Sequence, residues 1–187
     1  MLIELLRPKQ WYKNFLIFVP LIASHNLSEL DSIVFTIYGF IILCLSSGSA
    51  YIINDIIDAK KDLLHPEKKH RPIPSGKISK KNAIIISIIL LIFAEASSFY
   101  LDFQFFIINS FLIASMILYS IKIKNIFLID VFSISINYVL RALAGAFLID
   151  VRVSPWLIIG IFFLALLLAF GKRKTEIMFL DSNSFKY

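Results

Sequence analysis

Long apolar runs alternate with short polar segments along almost the whole chain. This spacing predicts membrane-crossing helices over about 15–24, 33–53, 83–100, 103–121, 126–148 and 155–170. A helix needs about 20 mostly apolar residues to cross a bilayer. The first run is short and has to borrow Trp11 and Tyr12, which sit where interface anchors belong. Residues 1–14 read as a short amphipathic lead-in. The longest polar stretch, 54–82, contains Pro66, Pro72, Pro74 and Gly76, which break any long helix there. A polar cluster recurs after the second, fourth and sixth runs, the pattern of helix-hairpin units.

Composition agrees with that pattern. Of 187 residues, 58% are hydrophobic and 18 are Phe, more apolar surface than a water-soluble domain has use for. The expectation is an all-α, polytopic helical membrane protein with one transmembrane domain over 1–187. The one cysteine, Cys44, lies inside an apolar run and supports no disulfide. Arg7-Pro8-Lys9 interrupts the first apolar stretch, so the N-terminus does not read as a cleavable signal peptide.

The net charge of +6 is not a nucleic-acid signal, because the basic residues sort by topology. Sixteen of the nineteen Lys and Arg fall in the N-terminal segment, the 54–82 loop, the turn at Lys122 and Lys124, and the cluster Lys172-Arg173-Lys174. By the positive-inside rule these four regions face the cytoplasm. The expected location is therefore the cytoplasmic membrane, with the N-terminus inside.

The stretch Asn54-Asp55-Ile56-Ile57-Asp58-Ala59-Lys60-Lys61-Asp62 follows the second apolar run. At about 100° per residue, Asn54, Asp58, Asp62 and Asp55 share an arc of roughly 100°. Like charges at these spacings repel, so a cation should lie between them. Mg²⁺ is usually held by one or two carboxylates, with water and substrate phosphates filling the remaining positions. Three carboxylates on one face thus suit a metal–diphosphate, with Asp55, Asp58 and Asp62 as catalytic and metal-binding candidates. The alternative is a solvated helix end whose acids pair with Lys60 and Lys61.

Basic clusters expected on the same membrane side complement that face. Lys172, Arg173 and Glu176 share a helix face after the sixth run. Arginine offers a planar fork for phosphate oxygens and lysine a point charge. Plain topological anchoring is the competing explanation. Tyr119 and Lys124 end the fourth run, where an aromatic belt with topogenic lysines competes with phosphate binding. Lys13, Asn14, Asn54 and Arg71 are further candidate substrate contacts. Arg141 lies within a run, where an ionisable side chain faces a cavity or a partner. Asp130 is eleven residues away and shares its face, too far for direct contact; Glu95 is a weaker candidate. No Cys/His metal spacing, Gly-rich phosphate loop or Ser-His-Asp arrangement is present. The chemistry then falls to metal and electrostatics rather than to a protein nucleophile.

Asn54-Asp55-x-x-Asp58-x-x-x-Asp62 resembles the first aspartate-rich motif of the UbiA superfamily of intramembrane prenyltransferases. Three more stretches resemble its decaprenyl-phosphate phosphoribosyltransferase branch. They are Leu6-Arg7-Pro8-Lys9-Gln10-Trp11-Tyr12-Lys13-Asn14, His65-Pro66-x-Lys68-Lys69-x-Arg71-Pro72-Ile73-x-Ser75-Gly76, and Ser154-Pro155-Trp156 followed by Gly171-Lys172-Arg173-x-x-Glu176. The resemblance implies a nine-helix bundle, of which about six helices are present, and a cavity open to the cytoplasm. It also implies Mg²⁺ on the aspartates, phosphoribosyl pyrophosphate as donor and a polyprenyl (decaprenyl) phosphate as acceptor. The Gly-Lys-Arg-x-x-Glu stretch stands where relatives using prenyl diphosphates carry a second aspartate pair. Asn125 departs from the pattern, in which an arginine often follows the lysine matched by Lys124.

The expected function is Mg²⁺-dependent transfer of 5-phosphoribosyl to the lipid phosphate. A prenyltransferase proper, moving a prenyl group to an aromatic or other acceptor, is the nearest alternative. It uses the same aspartates and differs at Lys172, Arg173 and Glu176. A transporter or lipid-binding scaffold would place polar groups near the midplane of several spans. An inactive truncated form is a further alternative.

Overall fold

The structure is a computed structural model that describes residues 2–126 and 128–184. Its elements are α1 (Leu2–Leu5), a 3₁₀ segment Pro8–Ile17, α2 (Phe18–Ala23), α3 (Leu30–Asp62), α4 (Lys80–Leu101), α5 (Phe103–Ile121), α6 (Ile129–Leu148) and α7 (Pro155–Ser184), with short 3₁₀ turns between. Four of them, α3 to α6, are long and apolar enough to cross a membrane, and α7 carries a shorter apolar stretch, Pro155–Gly171. Outward faces such as Ile88, Ile89, Ile92 and Phe93 on α4, and Phe163, Leu164, Leu167 and Leu168 on α7, are exposed. Water would not tolerate such a continuous apolar surface, and lipid does. The chain is an integral membrane protein.

The first expected span is not one regular helix. Residues 8–17 form a 3₁₀ helix and 18–23 a short α-helix. A ten-residue 3₁₀ run is unusual, and its end packs closely against α6. A Cβ on Gly145 of α6 would overlap the Ile17 carbonyl oxygen, so the two backbones touch where only glycine fits. Asn14 and Ile17 are buried against the bundle as a result.

At 33 residues α3 is roughly 50 Å long, well beyond the ~30 Å hydrocarbon thickness. Its last turns therefore project past the apolar zone. Its middle carries Ser46, Ser47, Gly48, Ser49 and Ala50, all buried. Small residues let helices approach closely in membranes. A Cβ on Gly48 would lie 2.8 Å from Leu6 Cδ2. Ser49 Oγ donates to the Ser87 carbonyl at 3.0 Å, and Ser87 Oγ donates to the Ser49 carbonyl at 3.2 Å, tying α3 to α4.

Asp102 ends α4 and caps α5 by accepting from the Phe105 backbone N–H at 2.7 Å. Glu95 accepts from Asn109 Nδ2 at 2.9 Å and Ser110 Oγ at 2.6 Å, so this carboxylate joins α4 to α5 rather than lining a reaction site. Ile17, Leu43, Phe105, Leu112 and Ala144 form the central core, and Leu5, Ile52, Ile73, Ile78 and Ala83 a second cluster near the charged end.

Overpacking typically costs about 1–3 kcal/mol. Gly145→Ala should lower stability by that order, read as the thermal unfolding midpoint in detergent. Gly160→Ala, where a Cβ meets nothing within 4 Å, should leave the midpoint unchanged or slightly raised.

Candidate active site at the charged end of α3

The polar groups of α3 are divided between two sets of cations in the angular order their spacing dictates. Asn54 and Asp58 lie on one side of the arc, Asp62 and Asp55 on the other. Lys124 Nζ reaches Asp58 Oδ1 and Oδ2 at 2.6 and 2.7 Å and Asn54 Oδ1 at 3.5 Å. Arg71 Nη1 bridges Asp62 Oδ2 at 2.7 Å and Asp55 Oδ1 at 3.1 Å. Arg7 grips Asp55 with two nitrogens, Nε to Oδ2 at 3.2 Å and a short Nη2–Oδ1 contact. The cation demanded by three neighbouring carboxylates is thus supplied from three separate places in the chain. Lys60 and Lys61 are exposed, and the acids pair with Arg7, Arg71 and Lys124 instead.

Local sequence explains how each cation arrives. Arg71 precedes Pro72, which favours an extended backbone, and it has φ −61° and ψ 151°. The loop then turns back, with the Ile78 N–H donating to the Pro72 carbonyl at 3.0 Å. Gly76 at φ +75° supplies the left-handed turn. Ile73 and Ile78 anchor the loop in the second core cluster. Arg7 occupies the left-handed region at φ 51°, uncommon for a residue with a side chain, and lies over the Tyr51 ring at 5.3 Å. Lys124 sits on the 3₁₀ turn after α5, Ile123–Asn125, and Tyr119 is half-buried on the last turn of α5.

Arg173 lies at the same end of the bundle with its guanidinium on Asp130. Nε reaches Oδ2 at 2.7 Å, with a further short Nη2 contact, and Nη2 also donates to the Lys124 carbonyl at 3.4 Å. Asp130 is buried. Arg173 thus ties α7 to the start of α6 and to the turn bearing Lys124. Lys172 and Glu176 lie outside the residues whose side chains the structure describes.

Two expected contacts gather elsewhere. Arg141 is buried in the bundle, donating to Asn14 Oδ1 at 2.7 Å and to the Asn137 carbonyl at 2.6 Å. Asn14 Oδ1 also accepts from Ser47 Oγ at 3.3 Å. Asn14 and Arg141 therefore form an internal polar cluster that does not touch the aspartates. Asp130 and Arg141 take separate partners, as their eleven-residue separation requires. The Lys13 ammonium lies over the Tyr12 ring at 5.8 Å.

The donor chemistry of the α3 end suits Mg²⁺: carboxylate and amide oxygens on successive turns, of which the ion needs only one or two. Among the described residues no three His, Cys, Asp or Glu side chains are gathered ready to hold a metal. The oxygens of Asp55, Asp58 and Asp62 are turned toward basic side chains, so a metal there has to displace or share those partners.

A model of the UbiA prenyltransferase family matches residues 15–175. The chain belongs to this family. It is 34% identical to the uncharacterized protein y4nM of Sinorhizobium fredii over 95% of this chain and 34% of that protein. It is 30% identical to the decaprenyl-phosphate phosphoribosyltransferase of Mycolicibacterium smegmatis over 99% of this chain and 59% of that enzyme. A solved UbiA homologue from Archaeoglobus fulgidus, bound to DMAPP and Mg²⁺, superposes with a TM-score of 0.73 at 23% identity, covering 88% of this chain and 60% of that one. The chain thus spans between about a third and three fifths of the length of these relatives. The last likeness is one of fold, and the UbiA fold is the architecture described above.

Hydrogen bonds to charged partners contribute about 1.5–3 kcal/mol each. Arg71→Gln should therefore lower stability by an amount of that order, read as a lower unfolding midpoint. Lys69→Gln, an exposed neighbour in the same loop, should stay within about 0.5 kcal/mol of the parent chain. Equal midpoints for the two variants would remove Arg71 from any role in holding the aspartates.

Proposed function

We propose that this chain carries the donor site of a transferase that moves 5-phosphoribosyl from phosphoribosyl pyrophosphate to a polyprenyl phosphate in the membrane, with Mg²⁺ as cofactor. The observation behind this reading is the convergence of Arg7, Arg71 and Lys124 on Asn54, Asp55, Asp58 and Asp62, where α3 leaves the apolar zone. Phosphate-type cations and metal-type acids at one helix end suit a substrate that is a metal–diphosphate. The choice of donor is supported by similarity to decaprenyl-phosphate phosphoribosyltransferases and by Lys172, Arg173 and Glu176 standing in place of a second aspartate pair. The charge sorting supports a cytoplasmic position for this end, where a water-soluble donor is available.

Asp55, Asp58 and Asp62, with the Asn54 amide, would hold Mg²⁺, which when bound neutralises charge on the departing pyrophosphate. Lys124, Arg71 and Arg7 bind phosphate oxygens once the aspartates are otherwise engaged, and Lys13, Tyr119 and Lys172 are further candidate phosphate contacts on the strength of the sequence. Arg173, anchored on Asp130, holds the turn that carries Lys124 in place through the Lys124 carbonyl. Asn14 and Arg141 order the internal polar cluster. An oxygen of the lipid phosphate supplies the electron pair for the new bond to the anomeric carbon. The bond from that carbon to pyrophosphate breaks, and pyrophosphate leaves with its pair. The attacking oxygen is already anionic, so no protein base moves a proton.

The test is transfer of labelled phosphoribosyl to polyprenyl phosphate by a full-length relative-sized protein carrying this sequence, with Mg²⁺. Asp55→Asn and Asp58→Asn should each reduce turnover at least about a hundredfold while membrane insertion is unchanged. Wild-type turnover in both variants would return the aspartates to a structural role. Reaction with prenyl diphosphates alone would assign the chain to prenyl transfer proper.

A further inference from the structure

Between α1, the start of the 3₁₀ segment and the 71–72 loop lies a cavity of about 380 Å³. It is lined by Glu4, Arg7, Lys9, Gln10, Asp55 and Arg71, among others. Three of these side chains are cations and one is a neutral amide. The two that are not are Glu4 and Asp55, and Asp55 is the group to which both arginines are bound. Asp58 and Lys124 do not line it. The volume falls in the usual range for small-molecule sites, about 300–1,000 Å³.

We propose that Arg7 is an exchangeable counter-ion of Asp55, and that the cavity it lines with Lys9, Gln10 and Arg71 is a phosphomonoester site that gains positive charge when a divalent cation takes Asp55. The inference rests on the metal–diphosphate part of the function proposed above. In the structure Asp55 neutralises much of the charge that Arg7 and Arg71 would present. A carboxylate that turns to a metal releases the Arg7 guanidinium toward the cavity and leaves Arg71 shared with Asp62 alone. Metal and phosphate then favour each other's binding, and by linkage the effect is equal in both directions. The backbone at Arg7 supports a dedicated role. A left-handed residue with a side chain, followed by proline, is sparsely populated and persists where the surroundings hold it. Here Tyr51 and Asp55 hold the guanidinium at the cavity wall. Lys9 is exposed beside it and not bonded to the aspartates.

The exchange makes a prediction of opposite signs. Arg7→Gln removes a competitor for Asp55 and a ligand for phosphate together. Losing one charged partner corresponds to about a tenfold change. In the full chain in lipid nanodiscs, Mn²⁺ measured by electron paramagnetic resonance should bind Arg7→Gln about tenfold more tightly than wild type when no phosphate is present. Phosphomonoester affinity in the presence of Mn²⁺ should fall about tenfold. Lys9→Gln should weaken the phosphomonoester severalfold and leave Mn²⁺ affinity unchanged. Wild type should bind the phosphomonoester about tenfold more tightly with Mn²⁺ than without. The probes are ribose 5-phosphate and farnesyl phosphate, and the one that depends on Arg7 and Lys9 names the source of the phosphate.

Unchanged or weaker Mn²⁺ binding in a folded Arg7→Gln overturns the exchange. So does the absence of metal–phosphate coupling in wild type, a measurement that needs no variant. Insensitivity of both probes to Lys9→Gln overturns the cavity as the phosphate site. None of these results depends on turnover: loss of coupling with transfer intact fails this inference alone, whereas wild-type turnover in the aspartate variants fails the transferase reading.

Discussion

Three carboxylates on one face of a helix end cannot be left to themselves, and that constraint organises the charged end of this molecule. Asp55 and Asp62 are nearly buried, so neither water nor salt can do all of the neutralising. Each needs a fixed cation, and the chain brings one from the N-terminal segment, one from the 63–79 loop and one from the turn after α5. Breaking a buried pair by removing one partner is far more costly than the pair's net contribution. The ion pairs therefore act less as a source of stability than as a specification of where three distant segments have to lie.

The rest of the bundle serves that placement. Gly145 lets the 3₁₀ segment lie against α6, which fixes the start of the chain near α3. The second core cluster pins the 71–78 loop to α3 and α4 through Ile73 and Ile78. Arg173 and Asp130 hold α7 to α6 beside Lys124. The polar cluster of Asn14, Ser47 and Arg141 ties the same segments together deeper in the bundle. A metal–diphosphate arriving at the aspartates would thus meet cations already in place, whose present partners are the metal's own ligands.

Much of this was readable from residue spacing. The apolar runs placed the starts of α3 to α7 and both ends of α4 to α6 within three residues, because lipid-facing helices leave little ambiguity between apolar and polar segments, whereas α3 and α7 continue as helix well past their apolar runs. The shared face of Asn54, Asp55, Asp58 and Asp62 followed from helical periodicity, as did the need for a cation among them. Arg71 and Lys124 were candidates on chemistry, and both meet the aspartates. Other features depend on contacts that spacing does not encode. The segment 8–23 has the composition of a short span, but its split into a 3₁₀ and an α-helical part, and the close approach of Ile17 to Gly145, far away in sequence, are not encoded in spacing. Arg7 read as a topological charge; only the return of the chain over α3 makes it a partner of Asp55, although the Arg-Pro pair after an amphipathic lead-in was a usable signal. Arg173 looked like a phosphate ligand and is bound to Asp130, and Arg141 lies in a cluster of its own.

The central claim is that the aspartate face is a metal–diphosphate site held by the protein's own cations until substrate arrives. The most direct measurement is an experimental structure of the chain with Mn²⁺ and pyrophosphate, with the metal located by its anomalous signal. The account predicts a metal peak bonded to one or two of Asp55, Asp58 and Asp62, with Arg7, Arg71 or Lys124 moved from carboxylate to phosphate oxygens. A metal bound elsewhere, with all three aspartates still on their present basic partners, would contradict it.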